Sequence, residues 1–126
     1  VTTVPETKEK INDMKQDNTE NIRSQMRKGL LEYCILSILS RGEAYVSTIL
    51  KEMKAANMIV VEGTIYPLLI REKNQGLLSY RWEESTQGPP RKYYSITDKG
   101  REMLKEMDDS WQDLVNSIST IKNSKA

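Results

Sequence analysis

Histidine is absent from this 126-residue chain, and cysteine occurs once, as Cys34. Without histidine no mixed Cys/His zinc site can be assembled, and neither a Ser–His nor a Cys–His nucleophile pair exists. A lone cysteine cannot close an internal disulfide. Set in the apolar run Leu30-Leu31-Glu32-Tyr33-Cys34-Ile35-Leu36, it reads as a small buried hydrophobe rather than a reactive thiol. No run is long and apolar enough for a membrane span and no secretory leader pattern is present, so a reducing, cytoplasmic setting is expected. A dominant charge is lacking too: 19 Lys+Arg against 18 Asp+Glu leave +1, so no global field announces a polyanionic partner. The acidic residues sit mostly at helical surface spacings. The chain therefore reads as no enzyme, with no metal site and no cofactor.

What is there is one domain's length of chain, with 37% hydrophobic and 29% charged residues. That balance suits a small helical protein, or one that completes its core with a second copy. Charge is uneven along the sequence. Arg91, Lys92, Lys99 and Arg101 face only Asp98, whereas Glu102, Glu106, Asp108, Asp109 and Asp113 then outnumber Lys105. A basic ribbon beside an acidic helix suits a protein with one DNA-facing side.

Residues 1–17 are polar, contain Pro5 and lack an apolar stripe, so they read as an extension, disordered or partly helical. A first helix is expected from Asn18 or Thr19 to Arg41-Gly42, with Ile22, Met26, Leu30, Tyr33, Ile35, Leu36, Ile38 and Leu39 as its apolar positions. A second, from about Tyr45 to Ala56, places Val46, Ile49, Leu50 and Met53 on one face and ends at Asn57. Ile59-Val60-Val61 is a candidate short strand. A third spans about Glu62 to Gln75, with Ile65, Leu68 and Leu69 inward and Pro67 confined to, or kinking, the first turns.

Leu78, Tyr80 and Trp82 alternate on one strand, and Tyr94 and Ile96 answer them on the next. The intervening Thr86-Gln87-Gly88-Pro89-Pro90-Arg91-Lys92 reads as a stiff tip carrying two cations, which Glu83 and Glu84 could blunt. Thr97 caps a last helix in which Leu104, Met107, Trp111, Leu114, Ile118 and Ile121 recur at spacings of 3 and 4. Such a seam argues for helix-on-helix packing, within this domain or across a homodimer.

Three helices and a β-ribbon in this order define a mainly α fold: a winged helix-turn-helix over 18–96, followed by a C-terminal dimerisation helix over 97–122. Thr64, Tyr66 and Arg71 fall off the third helix's core stripe and are candidate contacts to double-stranded DNA, with Arg91 and Lys92 as phosphate contacts. Tyr66 could instead pack on the ribbon, and Arg71 could be a surface ion-pair partner. Leu104, Met107, Trp111, Leu114 and Ile118 are the candidate dimerisation residues. Trp111 admits two readings, an interface anchor or one wall of a slot for a flat aromatic ligand. A protein-interaction module that binds no DNA is the alternative.

Gly63-Thr64-Ile65-Tyr66-Pro67-Leu68-Leu69, Gly76-Leu77, Gly88-Pro89-Pro90-Arg91-Lys92-Tyr93-Tyr94-Ser95-Ile96-Thr97 and Gly100 together resemble the PadR family of bacterial transcriptional regulators, over about Met26 to Ile118. The single C-terminal helix looks like the compact subgroup, which includes regulators of multidrug transporters. The resemblance implies a homodimeric repressor on palindromic operator DNA, with Arg91 and Lys92 gripping the minor-groove side and Tyr66 facing DNA. It also implies a small aromatic effector lying against Trp111. Where the family usually has Arg-Leu-Glu, this chain has Arg71-Glu72-Lys73. Glu72 thus falls on the core stripe, and either the last turn is shifted outward or the carboxylate reaches a cation.

Overall fold

The computed structural model describes residues 8–125. Its elements are helices α1 (Lys8–Lys28) and α2 (Leu31–Leu39), strand β1 (Ala44–Tyr45), helices α3 (Val46–Ala55) and α4 (Glu62–Asn74), strands β2 (Leu78–Ser85) and β3 (Gly88–Ile96), and helix α5 (Asp98–Asn123). The described residues through Leu31 form one compact unit and those from Glu32 onward a second. Among the described residues no helix is long and apolar enough to cross a membrane, and no cluster of His, Cys, Asp and Glu could hold a metal ion.

The expected first helix is two helices. Gly29 and Leu30 interrupt it, with the Leu30 amide bonded to the Arg27 carbonyl at 2.8 Å. Glycine loses most conformational freedom on entering a helix, and here it separates two segments of opposite character. In α1, Ile22 and Met26 are exposed rather than part of a core stripe, and Glu20 bridges Arg23 and Arg27 at 3.5 and 3.9 Å. Of the extension expected over residues 1–17, residues 1–7 lie outside the described residues and 8–17 are helical, continuous with the rest of α1.

The core of the second unit is built by Ile35, Leu36 and Leu39 of α2, Ile49 and Met53 of α3, and Ile65 and Leu69 of α4. Leu77, Leu78 and Tyr94 close it from the ribbon side. In each helix these residues recur at three or four positions, so one face is buried and the other stays wet. Asn57 ends α3 in the left-handed conformation (φ 61°), its amide and that of Met58 returning to Lys54 and Met53. Ile59-Val60-Val61 form no strand. The short strand lies instead at Ala44–Tyr45, where it pairs with Tyr94 and Tyr93.

The sheet order is β1-β3-β2, antiparallel throughout. Leu78 faces Ile96 and Tyr80 faces Tyr94, which is the alternation expected from the sequence. The turn differs. Ser85 pairs with Gly88, so only Thr86-Gln87 form it, and Gly88-Pro89-Pro90 begin strand β3. The prolines fit there because β1 is too short to flank β3 at that point, so the edge needs no N–H donor.

Candidate nucleic-acid interface

Helices α3 and α4 begin beside the ribbon, and neither start carries a side-chain cap. Their N-cap residues, Tyr45 and Val61, are extended and apolar or aromatic, so the first amides find no side-chain acceptor. In α4 the Thr64 and Ile65 amides both return to the Val61 carbonyl, at 3.0 and 3.2 Å. Two helix N-termini with open amides thus border one groove of about 410 Å³, lined by Tyr45, Val46, Ser47, Glu62, Tyr66, Trp82, Pro90, Arg91 and Lys92. Open amides, the positive ends of two helix dipoles and two cations suit an anionic ligand such as a phosphate backbone. Glu62 is the acidic member of the lining, sitting where the α4 dipole favours a carboxylate.

Arg91 and Lys92 do not sit side by side at a tip. Adjacent residues of a strand point to opposite faces, and the aromatic rings receive them separately. The Arg91 guanidinium lies 5.0 Å from the Tyr45 ring centre. The Lys92 ammonium lies 4.4 Å from Tyr80 and 5.5 Å from Trp82, its cross-strand partner. These rings hold the cations without neutralising them. Glu83 is opposite Arg91 in register, yet its carboxylate pairs with Arg81, which also meets Glu43 at 3.1 Å. The blunting of the wing cations by Glu83 is therefore not realised; Arg81 absorbs it.

The α4 residues chosen from sequence part company. Tyr66 is 44% exposed and lines the groove with Trp82. Thr64 is exposed but is not among the groove residues. Arg71 turns toward α2, where it pairs with Glu32 while remaining 64% exposed. Its ion-pair reading is realised in this structure.

Neither expectation for Glu72 holds. The last turn of α4 is not shifted outward, and the side chain reaches no cation. Glu72 is fully buried and both carboxylate oxygens lack a hydrogen-bond partner. Loss of hydration, and then the nearby Glu32 charge, push its acidity from 4.5 up to about 8 against the opposing pull of Arg71. Burial therefore favours its protonated form at pH 7. Cys34 is half-buried, and burial pushes its thiol up as well, away from the reactive thiolate.

The end of α4 is fastened to the start of α5. Gly76 adopts φ 78°, and its amide and that of Leu77 close α4 onto Lys73 and Glu72. The Thr97 hydroxyl donates to the Gly76 carbonyl at 2.6 Å and accepts from the Gly100 amide at 3.0 Å. Lys99 donates to the Gln75 carbonyl at 2.9 Å. Gly100 is packed so closely that a Cβ would run into the Leu77 carbonyl and lie 2.7 Å from Ile96 Cγ1.

Helix α5 divides its apolar seam. Leu104 and Met107, with Met103, pack against this chain's own core. Beyond them Trp111, Leu114, Val115, Ile118 and Ile121 are 39–73% exposed. Asp108 on the same helix accepts from the Tyr33 hydroxyl of α2 at 2.5 Å, a bond that raises the tyrosine to about 12.

Sequence reasoning missed Tyr45, Ser47, Glu62 and Trp82 as groove residues. Tyr45 and Ser47 lie far from the ribbon in sequence, and only the pairing of β1 with β3 brings them to it. The available signal was Trp82, an aromatic within β2 whose cross-strand partner is Lys92 rather than an apolar residue.

The sequence profile of the Transcriptional regulator PadR-like family matches residues 35–106. Among solved structures, a PadR-like transcription factor from Bacteroides fragilis is 56% identical, covering 80% of this chain and 98% of its own, with a TM-score of 0.69. A PadR-like transcriptional regulator from Bacillus cereus is 43% identical over 81% of this chain and 100% of its own, with a TM-score of 0.67. A PadR family transcriptional regulator from Eggerthella lenta is 29% identical over 89% and 98%, with a TM-score of 0.81. No curated protein matches significantly.

Proposed function

The chain belongs to the PadR-like family of transcriptional regulators, and from that premise we propose that it is a cytoplasmic homodimer that represses from operator DNA and is released by a small aromatic or apolar effector. The observation that carries the DNA-binding part is the groove between the open N-termini of α3 and α4 and the two ring-held wing cations. In this reading residues 18–96 form the DNA-binding part, and 97–122 the self-association helix. Arg91 and Lys92 contact phosphates. Thr64 and Tyr66 flank the α4 insertion, and Arg71 is a secondary contact that must leave Glu32 to reach a base. Two such heads would present their α4 helices about 34–36 Å apart, one turn of DNA.

The exposed run Trp111, Leu114, Val115, Ile118 and Ile121 supports pairing through α5, since a lone chain would leave that stripe in water. Leu104 and Met107 would continue the seam from their half-buried positions. A flat aromatic, drug-like effector stacking on Trp111 from both chains would change how the α5 helices pack. Thr97 and Lys99 would pass that shift to the end of α4, altering the spacing of the reading heads.

The test is selection of duplexes from a random pool, followed by mobility shifts at about 50 and 200 mM salt. Retention of a selected duplex, weakening steeply with salt, is the expected result. Failure to retain any duplex at the lower salt would overturn the reading.

A further inference from the structure

Which side chains of α4 read the bases follows from the direction in which the helix is packed. Ile65, Leu69 and Glu72 are buried, and at about 100° per residue the opposite crest runs through Gly63, Pro67, Ile70 and, in the last turn, Asn74. All four are exposed, and Ile70, a large branched apolar side chain, is 56% exposed. A methyl group added to Gly63 would meet no atom within 4 Å, so packing inside the chain gives no reason for a glycine there. Pro67 lacks an N–H, so the Gly63 carbonyl on this crest receives no bond from it. The crest is thus low and neutral, and apolar up to Asn74 in its last turn. Lys73 lies on its ribbon side, 5.5 Å from the Tyr80 ring, and Arg71 lies on its α2 side.

A neutral apolar ridge between two cationic flanks matches a major groove, whose walls carry phosphates and whose floor carries base edges. The one apolar group on that floor is the thymine C5-methyl. We propose that Ile70 is a specificity-determining residue that reads a thymine methyl in each half-site. This rests on the DNA-binding reading above and adds a base identity to it. Thr64 and Tyr66, on the two shoulders of the helix, then act as backbone contacts and leave the base to Ile70.

The test uses the tightest duplex selected from the random pool, with each thymine replaced singly by deoxyuridine, which removes only the methyl. Wild-type protein should lose about fourfold in affinity at one thymine per half-site, the worth of one buried methyl, and about fifteenfold when both are replaced. Ile70→Ala should bind the parent duplex more weakly and be indifferent to uracil at those two positions, with its salt dependence unchanged. Because Ile70 is exposed, the variant should fold as the wild type does, which circular dichroism checks. Should no thymine respond, or should Ile70→Ala keep the same response, the assignment is overturned while DNA binding stands. Should no duplex be selected at all, both readings fall together.

Discussion

Replacing Glu72 by leucine removes the one fully buried ionisable side chain of the described core, and the structure gives the size of the effect. In the unfolded chain the carboxyl titrates near its ordinary value of 4.5, and in the folded chain near about 8. Between those limits the folded state keeps a proton that the unfolded state has lost, so stability falls by about 1.4 kcal/mol per pH unit. The contribution is fully present below about pH 4.5 and is lost as pH rises through about 8, a loss of roughly 3 kcal/mol by pH 7. The neutral acid adds its own penalty of about 1–3 kcal/mol, because neither oxygen finds a partner. Glu72→Leu should remove both contributions. Glu72→Gln should remove only the first, leaving an orphaned amide. Urea unfolding at fixed protein concentration, from about pH 5 to pH 8, separates the cases. The wild type should show the falling slope, and both variants should lack it. The leucine variant should also be the most stable at every pH. A wild-type profile parallel to that of Glu72→Leu would refute the reasoning, since the carboxyl would then be ionising as it does in water.

Arg91→Ala should weaken binding to every duplex alike and reduce the slope of log affinity against log salt by about 1; an unchanged slope in titrations would remove the wing from the interface. Gly100→Ala should lower stability by about 1–3 kcal/mol, because the new methyl must displace the Leu77 carbonyl or Ile96. A thermal melt coinciding with the wild type would show that α5 shifts freely at its start. Trp111→Ala should abolish fluorescence quenching by flat aromatic dyes and weaken self-association seen by ultracentrifugation. Quenching that survives the substitution would move the ligand elsewhere, Trp82 being the other reporter.

The winged-helix order, the faces of α3 and α4 and the faces of the ribbon strands were legible because periodicity fixes which residues share a face. Val46, Ile49 and Met53 are buried at the spacings that the sequence carries. The groove was less legible. Tyr45 reaches Arg91 only because a two-residue strand pairs with β3, and a strand so short leaves no alternation to read. The turn at Thr86-Gln87 was obscured by two prolines that look like loop residues but occupy an unflanked strand edge.

By itself the sequence determined the order of helices, ribbon and last helix and the stop of α4 at Gly76, since these follow from local spacing and from a backbone shape that few residues adopt, while its motifs carried the resemblance to the family. Tertiary structure alone decided that Tyr45 receives Arg91 while Tyr80 and Trp82 receive Lys92, that Arg71 turns to Glu32, and that Glu72 is buried without a partner. Periodicity gives the angle between two side chains on one element. The direction in which that element faces is set by what packs against it, and charge pairing and desolvation depend on that direction.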